Sequence, residues 1–119
     1  MVLAVRGAIG LERNDGSLIR DGVKKLLRQL VSSNSIGEDD IVSIQFSQTR
    51  DLTDANPASA LREVGYAGVP LFCSQEPDYK GSMPRVIRVL ITFNASEKRP
   101  VVPVYLDGAQ ALRSDIFNG

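Results

Sequence analysis

Arg88 stands in the run "RVIRVLITF", residues 85–93, where Val86, Ile87, Val89, Leu90, Ile91 and Phe93 are apolar and mostly strand formers. A guanidinium cannot be deprotonated in a protein, so it needs a negatively charged partner or water. Arg6 repeats the pattern: it closes the apolar run "VLAV" and leads into Gly7. Three more residues carry reactive or polar groups in apolar or loop settings, namely Cys73, Glu76 and Tyr105. Fixed cations of this kind can hold an anionic small molecule and stabilise negative charge that grows as a bond breaks.

What the chain lacks narrows the chemistry. It contains no histidine. That removes Ser-His-Asp and Cys-His arrangements, imidazole relays and most catalytic zinc sites. No carboxylates have calcium-loop spacing, and neither a G-x-G-x-x-G pattern nor a Walker A sequence occurs. The single cysteine excludes an internal disulfide. An enzyme made from this chain is therefore expected to use no bound metal and to transfer few protons. Basic and acidic residues balance at 14 each. That balance argues against a nucleic-acid partner, which would need a strongly basic surface. The opening "MVLAVRGAIG" has no basic segment before its apolar stretch and is too short to span a bilayer. A cytoplasmic location with no membrane partner is expected.

The elements that must position these residues can be read from periodicity. Residues 2–9 read as a strand with Val2, Ala4, Arg6 and Ala8 on one face and Leu3, Val5, Gly7 and Ile9 on the other. Ser17 is a candidate N-cap for a helix to about Ser33, with an apolar stripe of Ile19, Val23, Leu26, Leu27, Leu30 and Val31. Residues 41–48 alternate, which predicts Val42, Ile44 and Phe46 inward and Ser43, Gln45 and Ser47 outward. Asn56-Pro57 reads as an N-cap followed by proline at the first position of a short helix to about Val64. Strands follow at 69–73, 85–93 and 101–106, the last at a sheet edge because of Pro100 and Pro103. The tail after Leu106 looks mobile by composition and is expected to order over the site when substrate binds. The order is β-α-β-(short helix)-β-β-β in one domain, residues 1–119. One long helix cannot cover both faces of five strands, so a second copy is expected to cover the other face in a symmetric homo-oligomer.

The blocks "VRGAIGLER", "NPASALREVGY", "VPLFCSQE", "IRVLITF" and "VYL" resemble, in order and spacing, the AroH class of monofunctional chorismate mutases. The resemblance runs from about residue 4 to residue 113. It implies an α+β fold with a five-stranded mixed sheet, one long and one short helix, ferredoxin-like, assembled as a trimeric pseudo-α/β barrel. It also implies a cofactor-free [3,3] rearrangement of chorismate to prephenate in a cleft between subunits. By the same resemblance Arg88 meets the ether oxygen of the breaking bond and Arg6 a substrate carboxylate. Glu76 faces the ring hydroxyl with the Cys73 thiol beside it, and Tyr105 contacts the side-chain carboxylate. Arg62 and Leu112 are outer residues of the site. Three positions depart from the family pattern: Asn56 replaces an aromatic, Ser59 a lysine and Phe72 a threonine. Ser59 leaves less positive charge for the second carboxylate, and Arg62 or a tail residue is the candidate substitute.

Plainer readings exist for each residue. Arg88 could pair with a buried glutamate, Arg6 could reach water at a strand end, and Cys73 could be a small buried hydrophobe. Two other functions also fit part of the pattern: a small trimeric enamine or imine deaminase, whose characteristic motifs are absent, and a non-catalytic metabolite-binding domain.

Overall fold

The computed structural model describes residues 1–113. The elements are β1 (Val2–Gly10), α1 (Gly16–Asn34), a 3-10 turn (Glu38–Asp40), β2 (Ile41–Gln48), α2 (Pro57–Arg62), β3 (Leu71–Gln75), β4 (Val86–Asn94), β5 (Val104–Leu106) and a second 3-10 turn (Ala109–Arg113). The "SDIFNG" end of the tail lies outside the described residues. No helix among the described residues is long and apolar enough to cross a membrane.

The long helix forms where its apolar stripe predicts, with Ile19, Val23, Leu26, Leu27 and Leu30 buried. Its cap is Asp15 rather than Ser17. Asp15 has extended backbone and its carboxylate accepts the Leu18 N–H at 3.1 Å, which leaves Ser17 inside the first turn. The helix stops at Ser35, whose left-handed backbone (φ 51°) turns its N–H back toward the Val31 and Ser32 carbonyls. α2 starts as expected, with the Asn56 side chain accepting the Ala58 and Ser59 N–H groups and Pro57 in the first turn.

The five strands make one sheet in the order β3-β2-β4-β1-β5. β4 runs antiparallel to both β1 and β2, and the outer pairs β1/β5 and β2/β3 are parallel. β5 is an edge strand, as its prolines require, but only three residues long. Both helices pack on one face, over Val5, Ile9, Ile44, Phe46, Ile87, Val89, Ile91 and Phe93. Truncating a fully buried leucine of this layer, such as Leu26, is expected to cost about 2–5 kcal/mol. One inward assignment fails: Ile41 is buried and Val42 is 42% exposed. A register irregularity between Ile41 and Ser43 against β4 inserts a residue and turns Val42 out.

Among the described residues no α-helix packs on the opposite sheet face. Only one end of it is covered, where Ala8, Val86, Tyr105 and Ala109 form a small cluster joined by Met83 and Leu112. The segment Ala109–Arg113 forms a 3-10 turn against the sheet, with Ala109 fully buried.

Candidate active site

Strand pairing lays the polar side chains of the uncovered face in two cross-strand rows. One row reads Ser74, Ser47, Arg88, Ala8, Tyr105 across β3-β2-β4-β1-β5. The next reads Phe72, Gln45, Leu90, Arg6. Neighbouring strands are about 4.8 Å apart, so alternate residues along β1 and β4 bring Arg6, Arg88 and Tyr105 within reach of one small molecule. A cavity of about 330 Å³ opens here, lined by Arg6, Gln45, Ser47, Arg88, Leu90, Tyr105 and Arg113 among others. That volume falls within the range of small-ligand sites.

Glu76 follows directly on β3, where its N–H donates to the Gln48 carbonyl at 2.9 Å. Its carboxylate accepts the Ser47 hydroxyl and lies 3.2 Å from Arg88 Nε. The Nε–H does not point at that oxygen, so among the described residues this buried nitrogen makes an ion pair but no aligned hydrogen bond. Glu76 therefore draws the inner edge of the guanidinium, while Arg88 keeps its side chain 39% exposed toward the cavity. Among the described residues, Arg6, Arg88 and Arg113 line the cavity and Glu76 adjoins Arg88.

The remaining candidates divide by position. Leu112 belongs to the small cluster beside Tyr105. Phe72 is 67% exposed at the end of the second row, on the β3 edge. Cys73 is opposite Phe46 and packs into the helix-side core, so it points away from Glu76 and Arg88 of its own chain. Within one chain, strand alternation sets Cys73 on the face opposite Ser74 and Arg88. The Cys73 Sγ lies 3.5 Å from Asn56 Oδ1. Burial pushes the Cys73 thiol up from its ordinary value, and a bond from the Ala58 backbone partly offsets that. Ser59 is exposed on α2. Arg62 donates to the Tyr66 carbonyl and, at 3.0 Å, to the Val69 carbonyl, so its guanidinium braces the turn after α2.

The structure thus collects Arg6, Arg88 and Tyr105 round one cavity, with Glu76 and Leu112 adjoining. Asn56, Ser59, Arg62 and Cys73 sit at the other face. The reading from sequence omitted Gln45, Ser47 and Ser74 from the site and gave Arg113 only as part of the tail expected over it. The polar side of β2 was a visible signal for Gln45 and Ser47. Arg113 was hidden in a tail whose composition resembles a loop.

A single mixed sheet, roofed by helices on one side and carrying an arginine-lined cavity on the other, defines a small α+β protein. The chain belongs to the chorismate mutase type I family, whose profile matches residues 2–116. It is 38% identical over 118 residues to chorismate mutase AroH of Thermus thermophilus, covering 98% of this chain and 97% of that one. It is 34% identical to chorismate mutase AroH of Bacillus subtilis (strain 168), covering 98% and 93%. The solved chorismate mutase from Clostridium thermocellum superposes with a TM-score of 0.88 at 37% identity, covering 92% of this chain and 98% of that chain.

Proposed function

We propose that this protein is a chorismate mutase, rearranging chorismate to prephenate in aromatic amino-acid biosynthesis, with no cofactor. The observation that carries the reading is the cavity itself: Arg6, Arg88 and Arg113 converge on it, and among the described residues Glu76 is the carboxylate paired with Arg88. Chorismate carries two carboxylates. The rearrangement breaks an ether C–O bond and forms a C–C bond in one cyclic electron shift, and no proton leaves or enters. Negative charge grows on the ether oxygen as the bond breaks. A fixed cation there stabilises the transition state more than the ground state. Arg88 takes that role: it stays charged, and its inner edge is braced by Glu76 while its outer part faces the cavity. Arg6, Tyr105 and Arg113 hold the carboxylates and fold the enolpyruvyl arm over the ring, a gain in positioning.

Assembly follows from the same geometry. Asn56, Ser59 and Cys73 lie on the other sheet face, and Phe72 stands exposed at the β3 edge outside the cavity lining. A neighbouring copy packed on the uncovered face can bring them there. We therefore propose a homotrimer whose clefts take Arg6, Glu76, Arg88 and Tyr105 from one subunit and the α2–β3 residues from the next. An absorbance assay of chorismate with purified protein, with the product identified as prephenate, tests the activity. Rapid conversion is expected. A folded, oligomeric protein that leaves chorismate unchanged would overturn it.

A further inference from the structure

Tyr105 and Arg113 reach the cavity from the least secured part of the sheet. β5 pairs with β1 through only three residues, Gly7↔Val104, Ala8↔Tyr105 and Ile9↔Leu106, and it has no strand on its outer side. Pro100 and Pro103 bracket its approach and carry no N–H to extend the ladder. A parallel strand this short can slip. A shift of one residue would turn Tyr105 to the helix face, and a shift of two would move it about 6.6 Å, at about 3.3 Å per strand residue.

One side chain stands against that slip. Asn34, the last residue of α1, is 6% exposed and is the one buried polar residue among the described residues. Its Oδ1 accepts the Val102 N–H at 2.7 Å, and its Nδ2 donates to the Val102 carbonyl at 2.9 Å. Nδ2 also donates to the Leu30 carbonyl at 2.9 Å, which fixes the carboxamide on the helix. Asn34 therefore gives Val102 both of the bonds that a neighbouring strand would give. The anchor is rigid, because α1 is held to the sheet by its fully buried stripe.

We propose that Asn34 is a positioning residue for the active site: its carboxamide sets the register of β5, and through it the placement of Tyr105 and of the Arg113 turn. This rests on the proposed chorismate mutase activity. A burial that served only stability would be met more simply by leucine, since a polar side chain in a core gives little net stability even when satisfied.

The test uses Asn34→Leu in the full chain, with two readouts. Steady-state kinetics on chorismate should show kcat/KM lowered about tenfold or more, since a misplacement of about 1 Å can cost about 10²-fold. The loss should shrink when the same change is made in Tyr105→Phe, because the two act through one side chain. The second readout needs no turnover. The chain has three tyrosines, Tyr66, Tyr79 and Tyr105. In 3-fluorotyrosine-labelled protein the Tyr105 resonance should shift or broaden in Asn34→Leu while that of Tyr79 stays in place. An unchanged kcat/KM and an unmoved Tyr105 resonance, with only a lower Tm, would overturn the proposal. If Asn34→Leu does not fold, Asn34→Asp keeps the acceptor for the Val102 N–H and removes the Nδ2 donor to the Val102 carbonyl, and is read by the same two criteria. A wild-type protein without turnover would sink the activity instead, and the fluorine spectrum would still decide the register.

Discussion

At the scale of the residue, Arg88 combines two demands. Its Nε edge is held against Glu76 and its guanidinium opens on the cavity. Removing the charge in Arg88→Ala should leave a folded protein and lower kcat by at least about 10²–10³, the loss for one neutral oxyanion donor. A charge-assisted bond is about twice as strong, so the larger figure is expected. Arg88→Lys should still lose much activity, because the ammonium lacks the fork that meets Glu76 and substrate together. Near-wild-type kcat in Arg88→Ala would contradict this assignment. Cys73 yields a different expectation. Its thiol is pushed above the ordinary 9.0 by burial, so the folded chain favours the neutral form. Its contribution to stability is full below the unfolded pKa and is lost as pH rises through the folded value. Tm should therefore fall at alkaline pH, and part of that fall should vanish in Cys73→Ala. Burial also raises the Tyr66 phenol, with a contribution from the Glu38 charge, and that alkaline component should survive the substitution. A Tm profile unaffected by Cys73→Ala would show that the thiol does not titrate with folding. Residue types made the arginines legible in the sequence. The side on which Cys73 faces follows from its pairing opposite Phe46, a long-range register that no local pattern supplies.

At the scale of the element, β1 is fitted between the helix layer and β5 by a glycine. A Cβ at Gly7 would stand 2.7 Å from Leu30 Cδ1 and 3.0 Å from the Val104 carbonyl oxygen. The leucine tip can move but the backbone oxygen belongs to β5, so Gly7→Ala should displace that strand. Its expected signature is a loss of about 1–3 kcal/mol by denaturant unfolding, as for other overpacked cores, together with a raised KM. Wild-type stability and KM would show that β5 has room to spare. The periodicity of α1, the cap at Asn56 and the edge position of β5 were all readable, because they depend on local pattern. The bulge that turns Val42 outward was not, since it arises from how β2 pairs with β4. Likewise the folded 3-10 turn at Ala109–Arg113 depends on a tertiary pocket formed by Ala8, Val86 and Tyr105.

At the scale of the whole molecule, the chain builds one covered and one uncovered sheet face, and places its candidate site residues on both. The uncovered face carries apolar and small groups, including the exposed Val2, the exposed Ala4 and the half-buried Leu90, beside the arginines. A second copy there would bury apolar surface and complete the cavity in one step. Proton-free chemistry in a chain without histidine further predicts turnover that is nearly flat with pH between about 6 and 8. A bell-shaped profile centred near neutrality would point to acid–base catalysis instead. The central claim, an arginine cavity completed by a neighbouring subunit for the rearrangement of chorismate, is tested most directly by chorismate turnover per chain. It should be recorded together with the oligomer distribution by sedimentation, for the wild type across a dilution series and for Ala4→Glu, which places a charge on the uncovered face. Turnover should stay constant while the trimer persists and collapse in step with its dissociation. A monomer that turns over chorismate at the full rate, or an intact oligomer that leaves it unchanged, would contradict the account.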